Sequence, residues 1–104
     1  MIARLWTARA PAANAQRYAA HLKAAVLPLV QKVPGYSGAT LLERVDGSEV
    51  AIVVMTWWRS MDDINAFAGA DISRAVVADE ARALLTQFDE QVRHFNVTLE
   101  DRPG

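Results

Sequence analysis

Residues 36–58 read YSGATLLERVDGSEVAIVVMTWW, and this stretch decides the fold. Asp46-Gly47 separates two runs rich in β-branched and apolar residues. An Asp-Gly pair favours a tight hairpin because both turn positions tolerate positive φ. We therefore predict strands over Tyr36–Val45 and Ser48–Trp58. The run Ala51–Met55 lacks polar alternation, which is typical of a central strand buried on both faces.

The segment before this hairpin predicts a strand followed by a long helix. Ile2–Ala8 alternates between two faces as a strand does. Apolar residues then recur every three or four positions, which predicts a helix over about Ala15–Lys32 with Asn14 as its N-cap. Pro28 lacks an amide hydrogen, so we expect a kink or break near the last turns of this helix.

The segment after the hairpin predicts helix, irregular helical structure and a final strand. Ser60 is expected to cap a helix that Gly69 ends. One or two short helices are expected within Asp71–Phe88, and a last strand over Gln91–Leu99. This order is that of an α+β, ferredoxin-like βαββαβ fold with a four-stranded antiparallel sheet. Helices would cover one face, so the other apolar face is expected to pack against a second copy in a homodimer.

Composition narrows the class of protein. The chain has 104 residues, which suits a single domain over residues 1–104. The net charge of -1 offers no basic excess for phosphates, so a nucleic-acid partner is not expected. No apolar stretch is long enough to span a membrane, and the first residues do not resemble a signal peptide. There are no cysteines, which suits a cytoplasmic location.

Strong catalytic motifs are missing from the sequence. It contains no phosphate-binding glycine loop, dinucleotide fingerprint or nucleophile elbow. His21 and His94 lie on different predicted elements, and neither has a carboxylate at metal-ligand spacing. We therefore expect no metal site. The adjacent acidic pairs, Asp62-Asp63 and Asp79-Glu80, lie at predicted helix starts, where they favour the helix dipole.

A polar cluster on the strands is the best candidate for chemistry. In the predicted sheet the first and last strands are antiparallel neighbours, so Arg4 and Trp6 would face His94 and Asn96. A cation, an indole, an imidazole and an amide on one wall could hold an oxygen-rich aromatic ligand. The imidazole could polarise a phenol or enol and receive its proton. The alternative is that His94 is a hydrogen-bonded structural histidine.

Other aromatic residues are candidates for substrate binding. Trp57 and Trp58 could wall a cavity for a planar ligand, since tryptophan offers a π face and one N–H donor. Alternatively they pack, one on each face of the sheet. Tyr18 and Tyr36 could supply pocket hydroxyl groups, although both could equally be structural.

Several segments together resemble the antibiotic biosynthesis monooxygenase family of dimeric α/β barrels. The resemblance rests mainly on two motifs: a Pro-Gly-Tyr turn, and a tryptophan-serine junction between the third strand and the helix that follows it. The matching segments are Arg4-Leu5-Trp6, Val33–Ala39, Val54–Trp58, Ser60–Asp63, Phe67-Ala68-Gly69 and Glu80–Leu85.

This resemblance implies oxygen insertion into an electron-rich aromatic, quinol or polyketide-like molecule without flavin or metal. Arg4, Trp6, His94 and Asn96 are then the candidate catalytic residues. The haem-degrading branch carries a tryptophan and a histidine where this chain has Phe67 and Val77, so haem degradation is not expected. A non-catalytic dimeric ligand-binding or stress-related protein, and a non-oxidative cyclase or isomerase, remain alternatives because the fold alone does not specify chemistry.

Overall fold

Two long antiparallel strands, β1 (Ile2–Pro11) and β3 (Glu49–Trp58), form the centre of the sheet in the computed structural model, which describes residues 1–103. Strand β2 (Tyr36–Asp46) pairs with the free side of β3. Two short strands, β4 (Gln87–Phe88) and β5 (Arg93–Asn96), both pair with β1. All these pairings are antiparallel, as predicted, and β1 lies beside β3, the strand that the sequence predicted to be central.

The hairpin is confirmed in detail. β2 and β3 pair from Asp46↔Glu49 to Tyr36↔Trp58, with one irregularity between Tyr36 and Gly38. Gly47 adopts a φ of 63°, the left-handed conformation for which glycine is suited. The local turn signal and the two strand-like runs on either side of it therefore agree with the pairing of the strands.

The first helical segment runs from Ala12 to Val30 in three parts. These are α1 (Ala12–His21), a π-helical turn (Leu22–Val26) and α2 (Leu27–Val30). Within the π turn the Leu27 N–H donates to the Leu22 carbonyl, five residues back. Pro28 follows and cannot donate a helical bond to Ala24, so the widened turn lies where the sequence predicted a disturbance.

The predicted N-cap of this helix is wrong. The helix begins at Ala12 after Pro11, and Asn14 lies within it. The Ala12 N–H donates to the Ser48 carbonyl at 3.0 Å, so the β2–β3 hairpin satisfies this helix start. The Asn14 side chain instead donates to the Leu84 carbonyl at 3.2 Å.

Ser60 and Gly69 bound the next helix as predicted. Helix α3 (Met61–Ala68) begins where the Ser60 hydroxyl accepts the Asp63 N–H at 3.3 Å. It ends at Gly69, whose φ is 83°. Arg59 also donates to the Asp63 carboxylate at 3.0 Å.

The last third of the chain is less regular than the sequence predicted. Helix α4 is one turn, Asp79–Arg82, and the helical spacing that continues to Phe88 gives way to β4. The cause is the edge of β1, where the carbonyls of Arg9 and Thr7 accept the N–H groups of Thr86 and Asp89 at 2.8 and 3.0 Å.

The predicted last strand is correspondingly shorter. Only Arg93–Asn96 of the expected Gln91–Leu99 forms a strand, and it pairs with residues 2–5 of β1. Along the same edge, β4 pairs with Ala8 and Arg9 of β1. The sheet therefore has five strands rather than four. The α+β ferredoxin-like arrangement itself is confirmed.

The helical side of the sheet contains two buried clusters with a cavity between them. One cluster is centred on Trp6, Tyr18 and Ile52, and the other on Val30, Trp58 and Ile64. Among the residues that the structure describes, no helix is long and apolar enough to cross a membrane.

The other face of the sheet carries no helix. The register places on it apolar side chains from four strands, and two of these, Leu42 and Phe95, are about half exposed. The apolar residues of this open face are Leu5, Leu42, Val53, Met55, Trp57 and Phe95.

Candidate active site

A largely apolar cavity lies between the first helical segment and the sheet. It holds about 680 Å³ of empty space, including its mouth to solvent. Its walls come from β1 (Arg4, Trp6), the first helical segment (Tyr18, His21, Leu22, Val26, Leu27, Val30), β3 (Val54, Thr56), α3 (Phe67), residues 75–78 and 81, and Val92.

Trp6 and Tyr18 form one end of the cavity. Their ring centroids are 6.0 Å apart and the planes are tilted by 33°. The Trp6 indole N–H donates to the Asp89 carbonyl at 2.7 Å, so its only donor is used and its ring is fixed as a wall. Burial raises the pKa of the Tyr18 phenol to about 12, which keeps this wall uncharged.

Arg4 brings a positive charge into the same cavity. The residue is only 5% exposed. Its guanidinium donates to the carbonyls of Ile72 and Arg74 at 2.6 and 3.0 Å, and lies 5.7 Å from the centre of the Phe67 ring. Desolvation lowers the Arg4 pKa from 12.5 to about 10, so the group stays charged near neutral pH.

The charge of Arg4 has no carboxylate partner within residues 1–103. Its three polar partners are two carbonyls and an imidazole, all neutral acceptors. A buried cation without a counter-ion is costly, and such a group attracts an anion. The cavity therefore combines apolar walls with one unneutralised positive charge.

His94 lies behind Arg4 rather than in the cavity wall. The first and last strands are neighbours as predicted, and Arg4 and His94 are direct partners in the β1–β5 register, whereas Trp6 lies beyond the end of β5. The Arg4 guanidinium and His94 Nε2 are 2.9 Å apart. Since an arginine only donates, Nε2 accepts and its lone pair is occupied. Desolvation and the charge of Arg4 lower the His94 pKa, so the imidazole is neutral near neutral pH.

His21 is a cavity residue that the sequence analysis did not include among the candidate site residues. It lines the cavity one turn after Tyr18. Its Nε2 atom is buried and lacks a hydrogen-bond partner among the described residues. The π turn begins at the next residue, and such turns are frequent at functional sites. Pro28 was the sequence signal for this disturbance, but it did not identify His21.

The remaining predicted site residues are dispersed. Asn96 pairs with Ile2 on the same sheet face as Arg4 but is exposed. Trp57 lies on the open face, and Trp58 is fully buried on the helical face. Tyr36 packs edge-on against Trp58 with ring centroids 5.5 Å apart.

Trp58 contributes to the cavity indirectly. Its ring stacks on Phe67, with centroids 5.6 Å apart, and Phe67 is itself a cavity wall. The Trp58 indole donates to the Thr56 hydroxyl at 2.8 Å, and Thr56 also lines the cavity. Trp58 therefore holds two wall residues in place without reaching the cavity.

Phe67 and Val77 both line the cavity. Neither side chain can bind a metal ion or transfer a proton. In the described part of the chain, no three His, Cys, Asp or Glu side chains are grouped as a metal site requires.

The fold of the chain resembles solved structures over its whole length. A candidate antibiotic biosynthesis monooxygenase from Bacillus cereus superposes with a TM-score of 0.73 at 13% identity, covering 100% of this chain and 97% of the other. A monooxygenase from the ActVA-Orf6 gene of Streptomyces coelicolor, solved with nanaomycin D, gives 0.71 at 18% identity, covering 99% and 92%.

A third similar structure has a different reported activity. The haem degrader MhuD of Mycobacterium tuberculosis, solved with two haems in its active site, gives a TM-score of 0.62 at 23% identity, covering 98% of this chain and 100% of the other. No curated protein matches the sequence significantly. At these identities the structures establish the fold alone.

The family follows from the sequence itself. The family model for antibiotic biosynthesis monooxygenases matches residues 1–79, which is most of the chain and includes β1, the helical segment, the hairpin and α3. The chain therefore belongs to the antibiotic biosynthesis monooxygenase family.

Proposed function

We propose that this protein is a cofactor-independent monooxygenase that oxidises an electron-rich aromatic, quinol or polyketide-like molecule in the cavity. The observation that supports this most is Arg4, a buried cation facing apolar walls without a carboxylate partner among residues 1–103. Oxidation by dioxygen without a cofactor requires an electron-rich substrate anion, and a buried guanidinium stabilises such an anion in a site from which water is largely excluded.

The reaction is balanced for an anthrone, the simplest substrate of this class. Loss of a proton gives an enolate, which passes electrons to dioxygen. One oxygen atom forms the new carbonyl at the carbon that carried two hydrogens, and the other leaves as water with those hydrogens. The substrate itself supplies the reducing equivalents, so no external reductant is required.

The predicted catalytic residues receive different roles in this proposal. Arg4 binds the substrate anion, and Trp6 provides a rigid aromatic wall beside it. His94 holds the guanidinium in position through its 2.9 Å contact. Asn96 lies at the exposed end of the same strand, where it could contact a ligand that extends beyond the cavity.

The predicted substrate-binding residues are proposed with similar distinctions. Tyr18 forms a direct wall with Trp6. Trp58 and Tyr36 support the wall through Phe67. Trp57 lies on the open face, so any contact with a ligand would require a partner subunit that brings its own site near this face.

We propose that the open face forms a homodimer, the dimeric α/β barrel. Its apolar residues come from β1, β2, β3 and β5, and Leu42 and Phe95 are 46% and 52% exposed in the single chain. A contiguous apolar surface of this kind is typically covered by a partner. We also propose that residues 1–104 act as one domain, and that the cysteine-free chain works in the cytoplasm.

A non-catalytic ligand-binding protein is the second candidate. The observation that favours it is the cavity wall at Phe67 and Val77, which contributes surface but no reactive group. Such a protein would bind an aromatic anion at Arg4 and release it unchanged.

Oxygen uptake separates the two candidates. Purified, chelator-treated protein is mixed with anthrones, hydroquinones and dihydroxynaphthalenes in an oxygen electrode, with buffer as the control for autoxidation. Protein-dependent uptake with at least one compound supports the monooxygenase. Quenching of tryptophan fluorescence without uptake indicates a binding protein or a non-oxidative cyclase or isomerase.

A further inference from the structure

The cavity contains a second polar group that the proposed reaction has not yet used. His21 Nε2 is buried and has no hydrogen-bond partner in the described part of the chain, although His21 lines the cavity. A buried polar atom is nearly always paired, and an unpaired one at a cavity wall suggests that a ligand supplies the partner.

The chain path brings His21 toward Arg4. Helix α1 follows β1 directly and returns over it, and the Trp6–Tyr18 ring contact aligns the two elements. Moving two residues back along β1 from Trp6 leads to Arg4, and moving one turn forward along α1 from Tyr18 leads to His21. Both residues line the cavity.

The two histidines differ in the availability of a lone pair. His94 Nε2 accepts a hydrogen bond from Arg4 at 2.9 Å and is outside the cavity lining. His21 lines the cavity, and its Nε2 atom is buried and accepts from no group in the described residues. A proton acceptor requires a free lone pair within reach of the substrate, so His21 fits this role better than His94.

We propose that His21 is the catalytic base of this site and that its substrate is an aromatic compound with an acidic hydroxyl or an enolisable carbonyl. The O–H or C–H bond of the substrate breaks, its proton moves to His21 Nε2, and the electron pair stays on the substrate oxygen. Arg4 then binds the resulting phenolate or enolate. This inference rests on the proposed function only in placing the substrate in this cavity.

The charges around His21 are consistent with this order of events. Among the residues that line the cavity, the other titratable groups are Arg4 from β1 and Tyr18 from the same helix. The facing residues of β3, α3 and the segment 75–78 carry no charge. The lining therefore supplies one cation, Arg4, to bind the substrate anion, and no carboxylate to oppose it.

Ionisation of a bound dye tests the proposal without requiring turnover. The probe is 2-hydroxyanthraquinone, whose phenol and phenolate absorb at different wavelengths, and the reference ligand is anthraquinone-2-carboxylate, which is already anionic. Both are titrated anaerobically, at a pH below the pKa of the free dye, into wild-type protein, His21→Gln, His21→Leu and Arg17→Gln. Arg17 is an exposed residue of the same helix and serves as the control.

Wild type and Arg17→Gln are expected to bind the dye as phenolate. His21→Gln is expected to lower the bound phenolate-to-phenol ratio by about tenfold or more, equivalent to one pKa unit of the dye. Its affinity for the carboxylate should stay within about twofold, since that ligand needs no base. His21→Leu should behave like His21→Gln, because glutamine can form a hydrogen bond but does not take up the proton.

Three results would overturn the role of His21. These are an unchanged phenolate ratio in His21→Gln, an equal loss of affinity for both ligands, and failure of the wild type to bind or ionise the dye. Admission of oxygen and an anthrone then tests the reaction separately. Dye ionisation without oxygen uptake would refute the monooxygenase and leave the base assignment standing.

Discussion

Replacement of Arg4 by methionine separates the charge of the cavity from its shape. Methionine has a similar length and flexibility but carries no charge. The wild-type guanidinium is 5% exposed and donates to two carbonyls and one imidazole. Loss of the charge should weaken binding of an anionic ligand and leave binding of a neutral ligand of the same shape nearly unchanged.

The size of the effect follows from the desolvation of Arg4. Its pKa falls from 12.5 to about 10. At 1.36 kcal/mol per pH unit this is a penalty of about 3 kcal/mol for keeping the charge in the site. Because the guanidinium is desolvated, a charge-assisted hydrogen bond from it to a ligand anion should contribute about 1.5–3 kcal/mol. Arg4→Met should therefore lose roughly ten- to a hundredfold in anion affinity.

Quenching of tryptophan fluorescence measures both affinities. Anthraquinone-2-carboxylate and anthraquinone are titrated near neutral pH into wild type, Arg4→Met and Arg4→Lys. Lysine retains the charge but not the forked donor geometry, so it should recover much of the carboxylate affinity. Arg4 donates to two carbonyls of segment 72–74, and both variants change these bonds. Far-UV circular dichroism checks that the variants keep the wild-type fold. Equal losses for the neutral and anionic ligands would refute the electrostatic role.

Three further predictions concern the proposed homodimer, the pH dependence of stability and the stability of the unliganded protein. If the open face forms the proposed dimer, Val53→Asp on that face should give a monomer in sedimentation at micromolar concentration, whereas Val45→Asp, at a residue 79% exposed near the hairpin turn, should leave the dimer intact. A wild-type monomer would contradict the proposed dimer. Because the pKa of His94 is lowered in the folded protein, the unfolded chain binds a proton at this residue more readily. The free energy of unfolding should therefore fall as the pH drops below about 6.5, and His94→Gln should flatten that decline. Parallel pH profiles for the wild type and His94→Gln would exclude this contribution. His21→Leu removes an unpaired buried nitrogen, so the free energy of unfolding of the unliganded protein should rise by about 1 kcal/mol. This corresponds to a melting temperature raised by about 4–8 °C. A lower melting temperature in His21→Leu would argue that His21 has a structural partner.

The hairpin and the central strands could be predicted from the sequence because their signals are local. The Asp46-Gly47 turn, with strand-like runs on both sides, fixes the register of β2 and β3 that tertiary contacts then reinforce. That Arg4 and His94 lie close together was predictable from the order of the strands, because β1 and the last strand are antiparallel neighbours.

The segment after α3 could not be predicted in the same way. Its spacing from Val77 to Phe88 is helical, but the free edge of β1 offers carbonyl groups that a helix would leave unused. Thr86 and Asp89 bond to that edge, and Arg4 holds the carbonyls of Ile72 and Arg74. These contacts join residues far apart in sequence, and no local pattern encodes them.

The candidate site was only partly predictable for a related reason. Arg4, Trp6 and Tyr18 line the cavity as their positions on the strand and helix indicated. His21 lies at the border of the apolar stripe, where the helix rotation decides between solvent and cavity. The helix changes to a π turn at Leu22, the residue after His21. A helical wheel drawn for a regular α-helix does not include this change, so it cannot place His21 correctly.

The fate of labelled oxygen tests the proposed reaction most directly. Chelator-treated protein is given anthrone under isotopically labelled dioxygen, and the product is analysed by mass spectrometry, with Arg4→Met and buffer as controls for autoxidation. A cofactor-independent monooxygenase should form anthraquinone that carries one labelled atom, with one dioxygen consumed per anthrone, no hydrogen peroxide released, and a rate well above both controls. Product formation at the same rate with wild type, Arg4→Met and buffer, or unlabelled product, would contradict oxygen insertion in this cavity.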